Sequence, residues 1–251
     1  MENQINGQIS FKRFLEISFD KPSPDHFTFS RFPSRLTKEA IASINNTVLQ
    51  QFAGKGLTIN EGIAVDAMLV QFTSRSIDND EIRKQKEHRE TTEGNLDKNG
   101  NPLKFSRGLD SDWTVKNNIP HYGFKEHVSV DIHHGFVLAA ALTPASVHDS
   151  HHLPYCVASS YHTDAPIQKV YADKGYFGEP NRSFLHMNQI EDGIMRKATR
   201  STSLTAYEKE RNKQISKKRY IVEQYFGLSY LHNDAFRARF LRIIKNLIDI
   251  S

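Results

Sequence analysis

The sequence predicts an α/β fold: one mixed sheet flanked by helices, with a small helical N-terminal lead-in. Three observations carry this. The segments run strand, hairpin, helix, strand, helix, strand, long helix, and that order suits a single sheet covered by helices. The strand segments are short apolar runs rich in β-branched residues, closed by glycine, proline or Asx turns. The length of 251 residues is enough for one substantial core and a smaller appendage.

The elements follow in chain order. Residues 1–35 hold two apolar pieces, "FKRFLEI" and "DHFTFSRF", separated by "SFDKPSP". Thr37 is placed to cap a helix from about Lys38 to Phe52, which Gly54 and Gly56 end. "GIAVDAMLVQF", Gly62–Phe72, reads as a central strand with Asp66 inside it. From Ser74 to about His121 the chain is polar, and this span of about 74–121 is expected to be an insertion. "YGFKEHVSVDIHHGFVLAAALTP" predicts two strands around a His133-His134-Gly135 turn, with Pro144 stopping the second. "HDSHHLPYCVASSYH" predicts a helix, "IQKVYADKG" a strand, "EPNRSFLHMNQ" a short helix with Pro180 in its first turn, and "EDGIMRK" a strand. Thr205-Ala206-Tyr207-Glu208 is a capping box. It opens a helix expected to run to about Phe226, where Gly227 would end it.

Composition excludes several classes. The single cysteine, Cys156, rules out an internal disulfide and a cysteine zinc site. It reads as a small buried residue and suits a reducing cytoplasm. No stretch approaches the roughly 18 apolar residues of a membrane span, and the polar opening Met1-Glu2-Asn3-Gln4 is not a secretory signal. The formal charge is +4 and uneven: Ile194–Ser251 carries 13 Lys and Arg against 5 Asp and Glu. A basic stretch of this kind fits a polyanion partner or a solvated helix surface. His148-Asp149-Ser150-His151-His152 matches no zinc spacing and reads as a polar helix start. Trp113 reads as an anchor of the long insertion to the core.

Three acids stand out. Asp66 lies in the first strand and Asp173 ends a later one. Glu223 sits on the last helix beside an apolar stripe of Ile215, Val222 and Phe226. Arg219, four residues earlier, is placed to steady Glu223. Converged acids repel by about 4 kcal/mol per pair at 4 Å and an effective dielectric near 20, so a cluster calls for protons, arginine or a metal. Oxygen ligands favour Mg²⁺ or Mn²⁺, and two such ions about 3.5–4 Å apart serve phosphodiester chemistry. Taken singly, each acid has a plainer reading: a turn former at a strand end, or a surface ion pair on a helix.

The blocks "GIAVDAMLV", "YGFKEHVSVD", "LTPASVHDS", "VYADKGYFGEPNR" and "ISKKRYIVEQYFG", in that order, resemble those of bacterial insertion-sequence transposases of the DDE type, the insertion-sequence-5 group. "SPDHFTFSRFPSRL" resembles the segment before them, so the likeness runs from about Ser23 to Arg242. It implies an RNase H-like core over residues 61–251 and a partial DNA-binding segment over 1–60. It implies Asp66, Asp173 and Glu223 as catalytic residues and ligands of two Mg²⁺ or Mn²⁺ ions, with Arg219 in an R-x-x-x-E setting. The implied reaction is in-line phosphoryl transfer: cleavage at the element's end, then attack of the freed 3′-hydroxyl on target DNA. DNA, as element ends and target, is the implied partner of a homodimer. Arg196, Lys197, Lys217, Lys218, Arg237 and Arg239 are the expected phosphate contacts. The sequence departs from the group where Tyr230 replaces a lysine often found seven residues after the Glu. Members also carry more chain at both ends, so a truncated copy is expected. A DNA-binding remnant without catalysis, or a nuclease without strand transfer, are the competing readings.

Overall fold

The computed structural model describes residues 2–32, 35–57, 61–72, 110–162, 165–199, 202–233, 236–240 and 243–250. Three short helices form the lead-in: α1 (Glu2–Gly7), α2 (Ile9–Phe14) and α3 (His26–Arg31). Asp25 caps α3, its carboxylate accepting from the Thr28 N–H at 2.7 Å. The next helix, α4 (Lys38–Gly54), begins as predicted, with Thr37 Oγ1 accepting from the Ala40 N–H at 3.2 Å. Its Leu49 enters the core at 2% exposure.

The sheet comprises β1 (Gly62–Gln71), β2 (Asp112–Lys116), β3 (Ile119–Asp131), β4 (Val137–Pro144), β5 (Lys169–Ala172) and β6 (Glu191–Ile194). Its order is β2-β3-β1-β5-β6, with β4 also pairing β3. The β1–β3, β2–β3 and β3–β4 pairs are antiparallel, whereas β1–β5 and β5–β6 are parallel. β3 changes partner midway: Gly123 pairs with Asp112 of β2, and Phe124 with Pro144 of β4. Gly123 has φ +154°, and a Cβ there would lie 2.2 Å from the Val70 carbonyl oxygen, so no larger residue fits that crossing.

The remaining helices are α5 (Leu153–Ala158), preceded by a 3₁₀ turn at Asp149–His152, α6 (Glu179–Met187), α7 (Ala206–Asn233) and α8 (Ile243–Ile250). One face of the sheet, with Ile63, Val65, Val170 and Ala172, packs against Leu49, Leu153, Cys156, Val157 and Leu185. The other face, with Ala64, Val128 and Val130, packs against Val222 of α7. Cys156 is buried as expected, at 1% exposure.

Three expectations need correction. β2 and the start of β3 fall inside the span 74–121 assigned to an insertion; residues 73–109 lie outside the described residues. Trp113 on β2 packs on Tyr122 of β3 with ring centroids 5.2 Å apart, so a strand pairing, not a loop contact alone, ties it down. α7 does not stop near Phe226 but continues through Gly227 to Asn233. A helical glycine costs only about 1 kcal/mol, and Ser229, beyond it, is buried at 9% exposure, so packing outweighs the local signal. α8 went unread. Its Asn246 closes a tight knot, accepting from the N–H groups of Arg239 and Phe240 at 2.9 and 3.0 Å.

Candidate active site

β1 and β5 run parallel in a register that pairs Val65 with Ala172. The next residue on each chain is an acid: Asp66 on β1 and Asp173 where β5 ends. Adjacent strands lie about 4.8 Å apart, so the register alone makes these two aspartates neighbours, and their charges act on each other.

Asp66 alternates with Val65 and therefore points to the α7 face. There Arg219 Nη2 donates to its Oδ2 at 2.6 Å, and the Ala67 N–H donates to Oδ1 at 2.9 Å. The side chains of Arg219 and Asp66 are 8% and 22% exposed. Burial pushes the Asp66 carboxyl above the ordinary aspartate range. Arg219 and the Ala67 N–H pull it back down, and the charge of Asp173 adds to the rise. Asp173 caps the short 3₁₀ turn Lys174–Tyr176, its carboxylate accepting from the Gly175 N–H. A Cβ on Gly175 would come within 3.2 Å of that carboxylate. The glycine thus lets the backbone approach the acid closely.

Arg219 was expected to steady Glu223. It faces the sheet instead and binds Asp66, because the guanidinium lies on the buried side of α7 whereas Glu223 is exposed. Glu223 lines a groove of about 540 Å³ with Met195, Asn212, Lys213, Ser216, Lys217 and Tyr220. Asn212, Ser216 and Glu223 follow a helical spacing of four and seven, so they share one flank of α7. Asn212 exchanges hydrogen bonds with the backbone of Arg196, at 2.8 and 2.9 Å, just past the end of β6. The flank therefore faces the end of the sheet at which the parallel strand β5 gives out at Asp173. The structure brings Asp66 and Asp173 together and leaves Glu223 apart at the same end. Among the described residues no group of three or more His, Cys, Asp or Glu could hold a metal ion.

The donor chemistry of the aspartate pair nevertheless fits a divalent cation. Both side chains offer carboxylate oxygens, and oxygen donors suit Mg²⁺ or Mn²⁺. Residues 59–250 match the family described as Transposase DDE domain. The chain belongs to this family. It is also 33% identical, over 221 residues, to a protein of Neisseria meningitidis serogroup B described as the transposase for insertion sequence element IS1106. That alignment covers 86% of this chain and 71% of the relative. The mixed, helix-flanked sheet is accordingly the RNase H-like fold of a DDE transposase domain.

On this transposase domain the basic residues are not equivalent. Lys217 lines the Glu223 groove, and Lys197, Lys218, Arg237 and Arg239 are exposed. Arg237 pairs with Gln71 at the end of β1, in the lane that β5 has left. Arg196 is engaged locally: Nη1 meets Asp192 at 3.0 Å and the guanidinium lies 5.7 Å from the Phe177 ring centroid. Sequence reasoning missed Met195, whose sulfur lies 3.8 Å from Arg219 Nη1. It also missed the groove flank, although the spacing of Asn212, Ser216 and Glu223 was a usable signal. His148 caps the 3₁₀ turn through Nδ1, in keeping with a polar helix start.

Proposed function

We propose that this chain is a DNA transposase that cuts phosphodiester bonds at the ends of an insertion sequence and joins the freed ends to target DNA. Its cofactor would be Mg²⁺ or Mn²⁺, two ions at the complete site. Family membership supports the substrate class. The observation that carries the chemistry is the β1–β5 register, which sets Asp66 beside Asp173. These two residues would hold the ion, with Glu223 completing the set. A bound ion supplies positive charge against the charge that builds on the transferring phosphoryl oxygens.

The chain's own residues supply the rest. Arg219 holds Asp66 from the buried side and the Gly175 N–H holds Asp173, so both carboxylates are oriented before nucleic acid arrives. Lys217, Lys218, Lys197, Arg237 and Arg239 offer charge to phosphates and fix register rather than sequence. Arg196, already paired, contributes less. The working unit would be a homodimer acting on element ends and target DNA in the cytoplasm. Residues 61–251 would carry the catalysis, and residues 1–60 would assist binding. Among the described residues no helix is long and apolar enough to cross a membrane.

The test is a cleavage and joining assay with Mg²⁺ on duplexes carrying the element's ends. Asp173→Asn should abolish cutting while retaining DNA binding. Undiminished cutting by that variant would remove Asp173 from the site. Cut but unjoined products from the wild type would make the chain a nuclease, and binding without cutting would make it a DNA-binding remnant.

A further inference from the structure

The outer edges of the sheet are β6 on one side and β4 with β2 on the other. Two of them are covered by side chains. Arg211 donates to the Asp192 and Ile194 carbonyls of β6. Asn45 Nδ2 donates to the Val137 carbonyl of β4 at 3.2 Å, and His162 Nε2 lies 2.6 Å from the Leu138 carbonyl. Among the described residues β2 pairs only with β3. The hairpin they form is sharp, with Asn117 and Asn118 at φ +53° and +61° in its two-residue turn. Val115 and Ile119 beside that turn are 68% and 58% exposed.

The ladder fixes which backbone groups of β2 face outward. The Tyr122 carbonyl accepts from the Phe72 N–H on the β1 side, and the Gly123 carbonyl accepts from the Ala145 N–H on the β4 side. Backbone groups alternate between the two sides of an antiparallel strand. Asp112, Thr114 and Lys116 stand opposite Gly123, His121 and Ile119, so they turn their groups to β3. Trp113 and Val115 turn theirs outward. The Trp113 N–H accordingly donates to the Asp112 carboxylate, at 2.8 Å, and not to a strand.

Charges on an open edge commonly serve to blunt it. Here they do more, because Asp112-Trp113-Thr114-Val115-Lys116 is complementary to itself when reversed. Centred on Thr114, an antiparallel pair of two copies sets each Asp112 opposite the other copy's Lys116 and each Trp113 opposite Val115. Opposite charges and aromatic–β-branched pairs are favourable cross-strand neighbours. The same register brings the outward groups of Trp113 and Val115 together, and such a pair exchanges both N–H···O bonds. A two-fold contact demands this kind of self-complementarity.

We propose that the outer edge of β2 is a dimer contact: it pairs antiparallel with the same edge of a second copy, Thr114 opposite Thr114. The proposal rests on reading the working unit as a homodimer. Pairing passes the Trp113 N–H from the Asp112 carboxylate to the Val115 carbonyl of the second copy. The freed carboxylate then meets Lys116 of that copy.

The test is sedimentation velocity of the whole chain, without DNA, over a concentration series. The wild type should dimerise. Lys116→Glu sets like charges at both ends of the pairing and should weaken the dimer about tenfold. The double variant Asp112→Lys, Lys116→Glu restores opposite charges in the reverse sense and should recover it. Thr114→Cys should lock two copies by a disulfide under mild oxidation, since non-hydrogen-bonded partners approach to about 4.5 Å. Cys156, 1% exposed, is present in the wild-type control. A wild type that stays monomeric throughout would overturn both the homodimer reading and this contact. A dimer that Lys116→Glu leaves intact and Thr114→Cys fails to lock would overturn the contact alone. So would a weakened dimer that the double variant does not recover.

Discussion

Arg219 and Asp66 meet across 153 positions of chain, and most of both side chains is out of water. Removing one partner of such a pair leaves the other buried without its counter-charge, typically at a cost of about 3–5 kcal/mol. Arg219→Ala should therefore destabilise the fold by about 3 kcal/mol, read as a lowered urea midpoint. A change within error would mean that solvent already screens the pair. A second buried acid makes a prediction of opposite character. Glu126 is fully buried, accepts from the Tyr225 hydroxyl at 2.9 Å, and has an Oε2 with no partner among the described residues. Burial lifts its carboxyl from 4.5 to about 7, against the pull of the Tyr225 hydrogen bond. The folded state then holds a proton that the unfolded chain has released, so this group's contribution to stability is lost as pH rises from about 4.5 to about 7. Glu126→Gln keeps an acceptor for Tyr225 and should flatten that decline. Urea midpoints at pH 5 and pH 8 decide the matter, and parallel pH profiles for variant and wild type would refute it. Neither partnership was legible in the sequence. "KEHVSVD" alternates too loosely to mark Glu126 as buried, and R-x-x-x-E spacing names Glu223, not Asp66, as the neighbour of Arg219.

At the scale of elements, short-range signals were the readable ones. The Thr205–Glu208 box is present, with the Glu208 N–H donating to Thr205 Oγ1 at 3.2 Å and the Thr205 N–H to Glu208 Oε2 at 2.9 Å. The His133-His134 turn is present too, its N–H groups donating to Asp131. The misjudged end of α7 is equally informative. That helix crosses the sheet: Arg211 donates to the Ile194 carbonyl of β6 at 2.8 Å, Arg219 reaches β1, and Tyr225 reaches β3. With several strands to cover, it carries on through Gly227. A Cβ on Gly227 would meet nothing within 4 Å. Gly227→Ala should accordingly stabilise the protein by about 1 kcal/mol, seen as a raised thermal midpoint. A fall would mean that α7 does not run through this position in solution.

At the scale of the molecule, charge and sheet order combine. The basic C-terminal stretch includes α7, whose flank faces the end of the sheet where Asp66 and Asp173 emerge, and Arg237, which pairs with Gln71 five positions further along β1 from Asp66. If this surface meets a DNA backbone through several phosphates, affinity should fall steeply with salt, log K dropping by about 0.9 per phosphate per unit of log salt. Fluorescence anisotropy across a salt series measures that slope, and a flat response would detach the basic surface from DNA. By itself the sequence determined the fold class, the helix caps, the strands other than β2 and the start of β3, and that Asp66 lies within one strand while Asp173 ends another. Each of these depends on periodicity or hydrogen bonding within a few residues. Only the tertiary structure decided that β1 lies beside β5 in the register that joins Asp66 to Asp173, and that Arg219 serves Asp66. Those outcomes depend on how both faces of the sheet pack, a non-local balance that no short window of residues contains.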